Sequence, residues 1–170
     1  MTAAAARSID VKFANRQCSR TVRLSALRLV VTALLEELPE IDTAELGIVL
    51  VGAREMERVN EKFLQHSGST DVITFDYSAI STGNRKAPLR LHGDIFICVD
   101  EAVRQARRFR TAWPAEMVRY FVHGVLHLVG YDDHSVANRR KMKREENRLL
   151  RKLAARFPLS QLAGKPKLAA

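Results

Sequence analysis

Residues 114–134 read PAEMVRYFVHGVLHLVGYDDH. Met117, Val118, Phe121, Val122, Val125, Leu126, Leu128 and Val129 make this segment apolar nearly all round, the pattern of a buried helix. Pro114 suits the first turn, Glu116 the positive end of the dipole and Gly130 the stop. Within the segment lie His123 and His127, four residues apart, so both imidazoles share one face within reach of one ion. Beyond Gly130 the chain turns and presents Asp132, Asp133 and His134. A helical imidazole pair, a glycine turn and a third donor make a three-ligand metal site with one position open, as a catalytic zinc requires. Core histidines bonded to backbone carbonyls are the plainer alternative. Three of the five histidines within twelve residues, followed by the polar turn, weigh against it.

Zinc peptidases with an HExxH helix place a glutamate beside the first histidine as general base. Gly124 holds that position here, which argues against peptide hydrolysis and predicts a bare helix surface that a substrate backbone can approach.

The rest of the chain reads as early strands followed by late helices, which predicts an α+β layer fold. Residues 9–14 suit a short strand. Residues 24–38 suit a helix, with Leu24, Leu27, Val31, Leu34 and Leu35 at three- and four-residue spacing and Pro39 closing it. Residues 46–51 are a continuous apolar run, as in a strand covered on both faces. Residues 52–64 suit a helix, 72–77 and 94–99 strands, and 77–90 a polar loop. Helices are expected over 100–110, 114–129 and 135–157. Residues 1–157 read as one domain, and 158–170, without periodicity, as a disordered tail.

The 170 residues are 46% hydrophobic, enough to bury a core and to exclude general disorder. No apolar run approaches a membrane span, and MTAAAARSID carries no apolar signal region. Cys18 and Cys98 form no CxxC pair, so a reducing cytoplasm is the expected setting. Charge is uneven. Residues 1–101 hold 12 basic and 14 acidic residues, net −2, whereas 102–170 hold 16 and 5, net +11. That asymmetry suggests a polyanionic partner such as nucleic acid, with a solvated helix surface tuned for solubility as the plainer alternative. Two clusters carry it: Arg104, Arg107, Arg108 and Arg110, and a stretch from 139 to 156 that includes Arg140, Arg144 and Arg148. Aromatic residues are only 6%, so recognition of nucleic acid is expected to rest on charge and shape more than on stacking.

The run His123-Gly-Val-Leu-His127-Leu-Val-Gly130-Tyr131-Asp132 resembles the signature of the YbeY family. Ser69-Thr70-Asp71-Val72-Ile73-Thr74-Phe75 is similar to that family's TDV strand, Leu91-His92-Gly93-Asp94-Ile95 to its LGDI strand entry, and Asn60 with Phe63 to the helix end before them. The similarity runs in order from Asn60 to Leu150, and more faintly from Glu45. It implies a zincin (metalloprotease)-like α+β fold with a small mixed sheet and one zinc ion. It also implies a single-strand-specific endoribonuclease acting in 16S rRNA 3′-end maturation and ribosome quality control, with the small ribosomal subunit as partner. Two positions depart from the family pattern. Where the family has H-x3-H-x5-H, Asp133 stands at the third ligand position and His134 one residue later. Where the family carries an arginine after an aromatic residue, this chain has Leu64, with His66 nearby as a candidate substitute.

The expected site is therefore His123, His127 and Asp133, with His134 as alternative third ligand and Asp132 as a base or a turn residue. Asp94 is a candidate for orienting a ligand imidazole or for capping its turn, and structural roles are expected for Thr70 and Asp71. A non-catalytic RNA-binding assembly factor with a structural metal, or a zinc peptidase, are the alternative functions.

Overall fold

The computed structural model describes residues 7–78 and 89–165. Four strands, β1 (Ser8–Asn15), β2 (Ile41–Val51), β3 (Val72–Asp76) and β4 (Leu89–Cys98), form one sheet in the order β1-β2-β4-β3. β1, β2 and β4 are parallel, and β3 is an antiparallel edge strand on β4. Five helices surround it: α1 (Leu24–Glu36), α2 (Ala53–Leu64), α3 (Val99–Phe109), α4 (Trp113–Leu128) and α5 (Val136–Arg156). The expected α+β class with a small mixed sheet is the one observed.

Alternation along the strands divides the core. Leu46, Ile48, Leu50, Ile95 and Ile97 join α1, α4 and α5 in the main cluster. Val49, Val51, Ile73 and Cys98 belong to a smaller cluster with Met56 of α2. Two strands are longer than the sequence suggests. β2 begins at Ile41 because Asp42, Thr43 and Glu45 take half-exposed or exposed positions between buried Ile41, Ala44 and Leu46. β4 begins at Leu89 because the ladder continues across Gly93, a residue that disfavours strands. Glycine is required there: a Cβ would stand 2.3 Å from the Phe75 carbonyl oxygen.

The expected disordered tail is corrected for residues 158–165. Leu159–Leu162 make one 3-10 turn, where a spacing of three puts both leucines on one side. Leu162 is buried in the main core, the Arg23 N–H donates to its carbonyl (2.9 Å), and Ala163 bridges to Val22. Residues 166–170 of that expectation lie outside the described residues, as do residues 79–88 of the predicted loop. No helix among the described residues is long and apolar enough to cross a membrane.

The bare helix surface expected at Gly124 is also corrected. A Cβ there would lie 2.9 Å from Ile95 Cγ2, 3.1 Å from Thr74 Cγ2 and 3.3 Å from Val72 Cγ2. Gly124 is thus the contact point of α4 with the sheet, and its lack of a side chain lets the histidine helix lie close under β3 and β4. Gly124→Val adds three carbons to this contact. Overpacking costs about 1–3 kcal/mol and outweighs the roughly 0.5 kcal/mol of helix propensity gained over glycine. Urea unfolding is expected to show a loss of about 2 kcal/mol; unchanged stability would mean that α4 is free to move off the sheet.

Candidate metal centre

His123 and His127 lie one turn apart on α4, half-buried, while Val122, Val125 and Leu126 beside them are fully buried. Their Nε2 atoms approach to 3.0 Å. Each Nδ1 is engaged by an acceptor: the His123 Nδ1–H donates to Glu146 Oε2 (3.2 Å), and the His127 Nδ1–H donates to the Tyr131 carbonyl (3.1 Å). Burial alone would raise the Glu146 carboxyl pKa. Hydrogen bonds from His123, Lys143 and Arg119 override burial and bring it down to about 2, so Glu146 stays an ionised acceptor. Both imidazoles then turn an Nε2 lone pair toward the other, which is repulsive unless a cation lies between them. Tetrahedral zinc with bonds of about 2.0–2.1 Å would set the two nitrogens about 3.3 Å apart, close to the spacing seen.

Gly130 ends α4 in the left-handed region, φ 96°, and the Gly130 and Tyr131 N–H groups donate to the His127 and Leu126 carbonyls. This turn brings Asp133 back to the pair. A ligand atom from each of His123, His127 and Asp133 lies within 4.8 Å of the others. His134 is exposed and outside this group; its backbone N–H donates to Asp132 Oδ1. Both Asp132 oxygens accept from Asn138 Nδ2, at 3.0 and 2.9 Å, so Asp132 ties the turn to the start of α5. Hydrogen bonds from Asn138 and the His134 N–H lower its pKa, as suits a fixed carboxylate acceptor. Burial, followed by the charge of His123, lowers the His127 pKa and keeps it in the neutral form that ligates.

The histidines open onto a cleft of ≈ 350 Å³ lined by Asp71, Arg119, Tyr120, Asp133, Arg139 and Lys143 among others. Asp71 Oδ1 accepts from the Val72 N–H and the Thr70 hydroxyl, which confirms a structural role for that oxygen. Arg119 bridges Glu116 and Glu146, and Lys143 pairs with Glu146 at 2.6 Å. Arg139 has no ion pair among the described residues, and its guanidinium donates to the Asp133 carbonyl. The Tyr120 hydroxyl is buried without a partner among the described residues. Burial, then the Asp71 charge, pushes its pKa up, so it remains a protonated donor.

Several sequence candidates fall elsewhere. Asp94 does not orient a ligand. Strand alternation sets Gly93 and Ile95 against α4, so Asp94 projects from the opposite face, where it leans over Gly47 and accepts from the Tyr77 hydroxyl. Leu64 and Phe63 end α2, both exposed, with Phe63 edge-on to Phe75; neither they nor exposed His66 line the cleft. Arg104 is paired with Glu101 and Arg148 with Glu145. Arg107, Arg108, Arg140 and Arg144 carry no ion pair among the described residues, but none lines the cleft. The group behind His123, Glu146, is absent from the sequence reading. A signal for it exists: Met142, Glu146, Leu149 and Leu153 share one face of α5, so this glutamate interrupts the apolar stripe and is buried with it. Glu146→Gln keeps the shape but removes the charge that holds the His123 tautomer. Metal affinity is expected to fall about 10–100-fold by competition with a chelating dye. Unchanged affinity would make Glu146 only a partner for Arg119 and Lys143.

A histidine helix docked under the edge of a small mixed sheet, with a carboxylate returned to it by a glycine turn, defines a zincin-like metal-dependent hydrolase. Comparison with known proteins narrows the class. Residues 11–154 match the sequence profile of the family described as Endoribonuclease YbeY, and the chain belongs to that family. The "Endoribonuclease YbeY" of Chlorobium luteolum is 40% identical over 109 residues, 64% of this chain and 74% of that protein. That of an Anaeromyxobacter species is 39% identical over 142 residues, covering 77% of this chain and 71% of the other. A Thermotoga maritima protein of known solution structure shares the fold, with a TM-score of 0.59 and 20% identity over 94% of this chain and all of that one.

Proposed function

We propose that the chain is a zinc-dependent endoribonuclease that cleaves single-stranded rRNA during 16S 3′-end maturation in the cytoplasm, with the small ribosomal subunit as its partner. The observation that carries this reading is the convergence of the His123 and His127 Nε2 atoms and the Asp133 carboxylate at a cleft edged by Arg119, Arg139 and Lys143. The three converging residues would hold the ion, which when bound supplies Lewis acidity. Glu146 fixes the His123 ring, and the Tyr131 carbonyl fixes that of His127. Arg139, the cleft cation without an ion pair among the described residues, draws a phosphodiester into the cleft, while Arg119 and Lys143 are held by Glu146. Asp71 retains an oxygen with no partner among the described residues and is the carboxylate placed to take a proton; Asp132 is committed to its turn.

A peptidase is disfavoured because the sheet fills the space beside Gly124, where the general base of such an enzyme would stand. The non-catalytic alternative draws on exposed Leu64 in place of a cation. Digestion of single-stranded rRNA with and without chelator, with His123→Ala as control and casein as a second substrate, separates the three. Chelator-sensitive RNA cleavage by the parent alone is expected. RNA binding without cleavage at full zinc occupancy would instead favour the assembly factor.

A further inference from the structure

At the far end of α4 from the histidines, the helix start meets the end of α3, residues 17–22 and the C-terminal turn. Two adjoining hollows there, of ≈ 390 and ≈ 620 Å³, share Arg20, Trp113 and Ala163. Among the described residues, no Asp or Glu lines either one. Arg20 and Arg107 reach this groove without an acidic partner among the described residues, and Trp113, the only tryptophan of the chain, is half-buried in its wall. On α5, by comparison, Arg148, Lys152 and Arg156 are each paired with glutamates, and the unpaired Arg140 and Arg144 are exposed and line neither hollow. Paired cations attract phosphate weakly, because their field is already offset. Unpaired arginines beside an aromatic face match single-stranded nucleic acid, whose phosphates release counterions to the cations and whose bases stack on the ring.

We propose that this groove is a second contact for single-stranded RNA, holding the strand several nucleotides from the metal centre. The proposal rests on the endoribonuclease reading. Trp113 and His123 are about 15 Å apart along α4 and about a quarter-turn apart around it. At about 3.4 Å per stacked nucleotide, that spacing corresponds to about four nucleotides. Only RNA longer than this can engage the groove and the metal centre together.

Trp113 is its own reporter. A nuclease-resistant 2′-O-methyl phosphorothioate strand of about 12 nucleotides, within the range of known single-strand sites, is titrated into the metal-loaded protein while tryptophan fluorescence is followed. Quenching is expected. Removing two phosphate contacts in the Arg20→Gln/Arg107→Gln variant should reduce the slope of log K against log[salt] by about 1.4. Metal content and thermal midpoint report that the variant is folded. RNA cleavage by the parent is measured in parallel. Cleavage with no quenching, or with an unchanged slope, overturns the groove and leaves the nuclease reading standing. Quenching and the reduced slope without cleavage support the groove and overturn the nuclease. Absence of both binding and cleavage overturns both. Equal quenching by polyglutamate would make the groove a general anion surface and also overturns the proposal.

Discussion

His127→Ala is expected to purify without zinc under conditions in which the parent holds one ion per chain. Apparent zinc affinities of about 10–16 kcal/mol, spread over three or four ligands, correspond to about 3 kcal/mol for each, so one lost imidazole weakens binding by about two orders of magnitude. The structure adds to that loss: with the ring gone, the Tyr131 carbonyl loses its donor and His123 Nε2 faces no partner. Metal analysis after mild dialysis measures the effect directly. A chelator should lower the thermal midpoint of the parent and leave that of His127→Ala unchanged, because only a ligand bound to the folded state adds stability. Acid should act through the same atoms. A ligating imidazole must be neutral, and in the metal-free protein burial and the neighbouring His123 lower the His127 pKa from 6.5. Its neutral form therefore persists below 6.5, and the ion is released only as pH falls past that lowered value. Glu146, held near 2, remains ionised throughout this range. One zinc per chain in dialysed His127→Ala would end the metal assignment.

The histidine pair was legible because helix periodicity is local. Four residues on an apolar helix fix two side chains on one face, whatever the tertiary structure. The Gly130 turn was legible for the same reason. What the sequence hid is long-range. Glu146 reaches His123 across 23 residues, through a helix whose charge suggests a solvated surface. Asp94 stands beside Gly93 in sequence, yet strand alternation turns it to the other side of the sheet. Gly124 looked like an opening because a missing side chain reads as space, whereas the sheet already fills it. The basic clusters were legible as composition only. Pairing removes Arg104 and Arg148 from the free cations, and packing sets Arg107 beside Arg20 and Trp113, positions with no sequence relation to one another.

Asp133→Ala should lose most of the metal, while His134→Ala should keep it. The two residues are adjacent, so their side chains diverge, and the turn through Gly130 and Tyr131 delivers only one of them. The Asp133 carboxylate lies with the two imidazoles, whereas His134 is exposed and its backbone N–H is held by Asp132. A carboxylate is an ordinary third ligand beside two imidazoles. It differs from histidine in charge: His-His-Asp leaves a divalent ion at a net +1, and three neutral imidazoles leave +2. Asp133→His should therefore restore metal binding with a more electropositive centre. The pH–rate profile for RNA cleavage should then shift to lower pH, because greater positive charge favours deprotonation of nearby groups. Binding and charge can be read separately. Stoichiometry in Asp133→Ala and His134→Ala identifies the ligand without any activity, and the acid limb of Asp133→His reports the charge. Full occupancy in Asp133→Ala together with loss in His134→Ala would move the third ligand to His134. Restored metal in Asp133→His with an unshifted profile would keep the ligand and discard the charge argument.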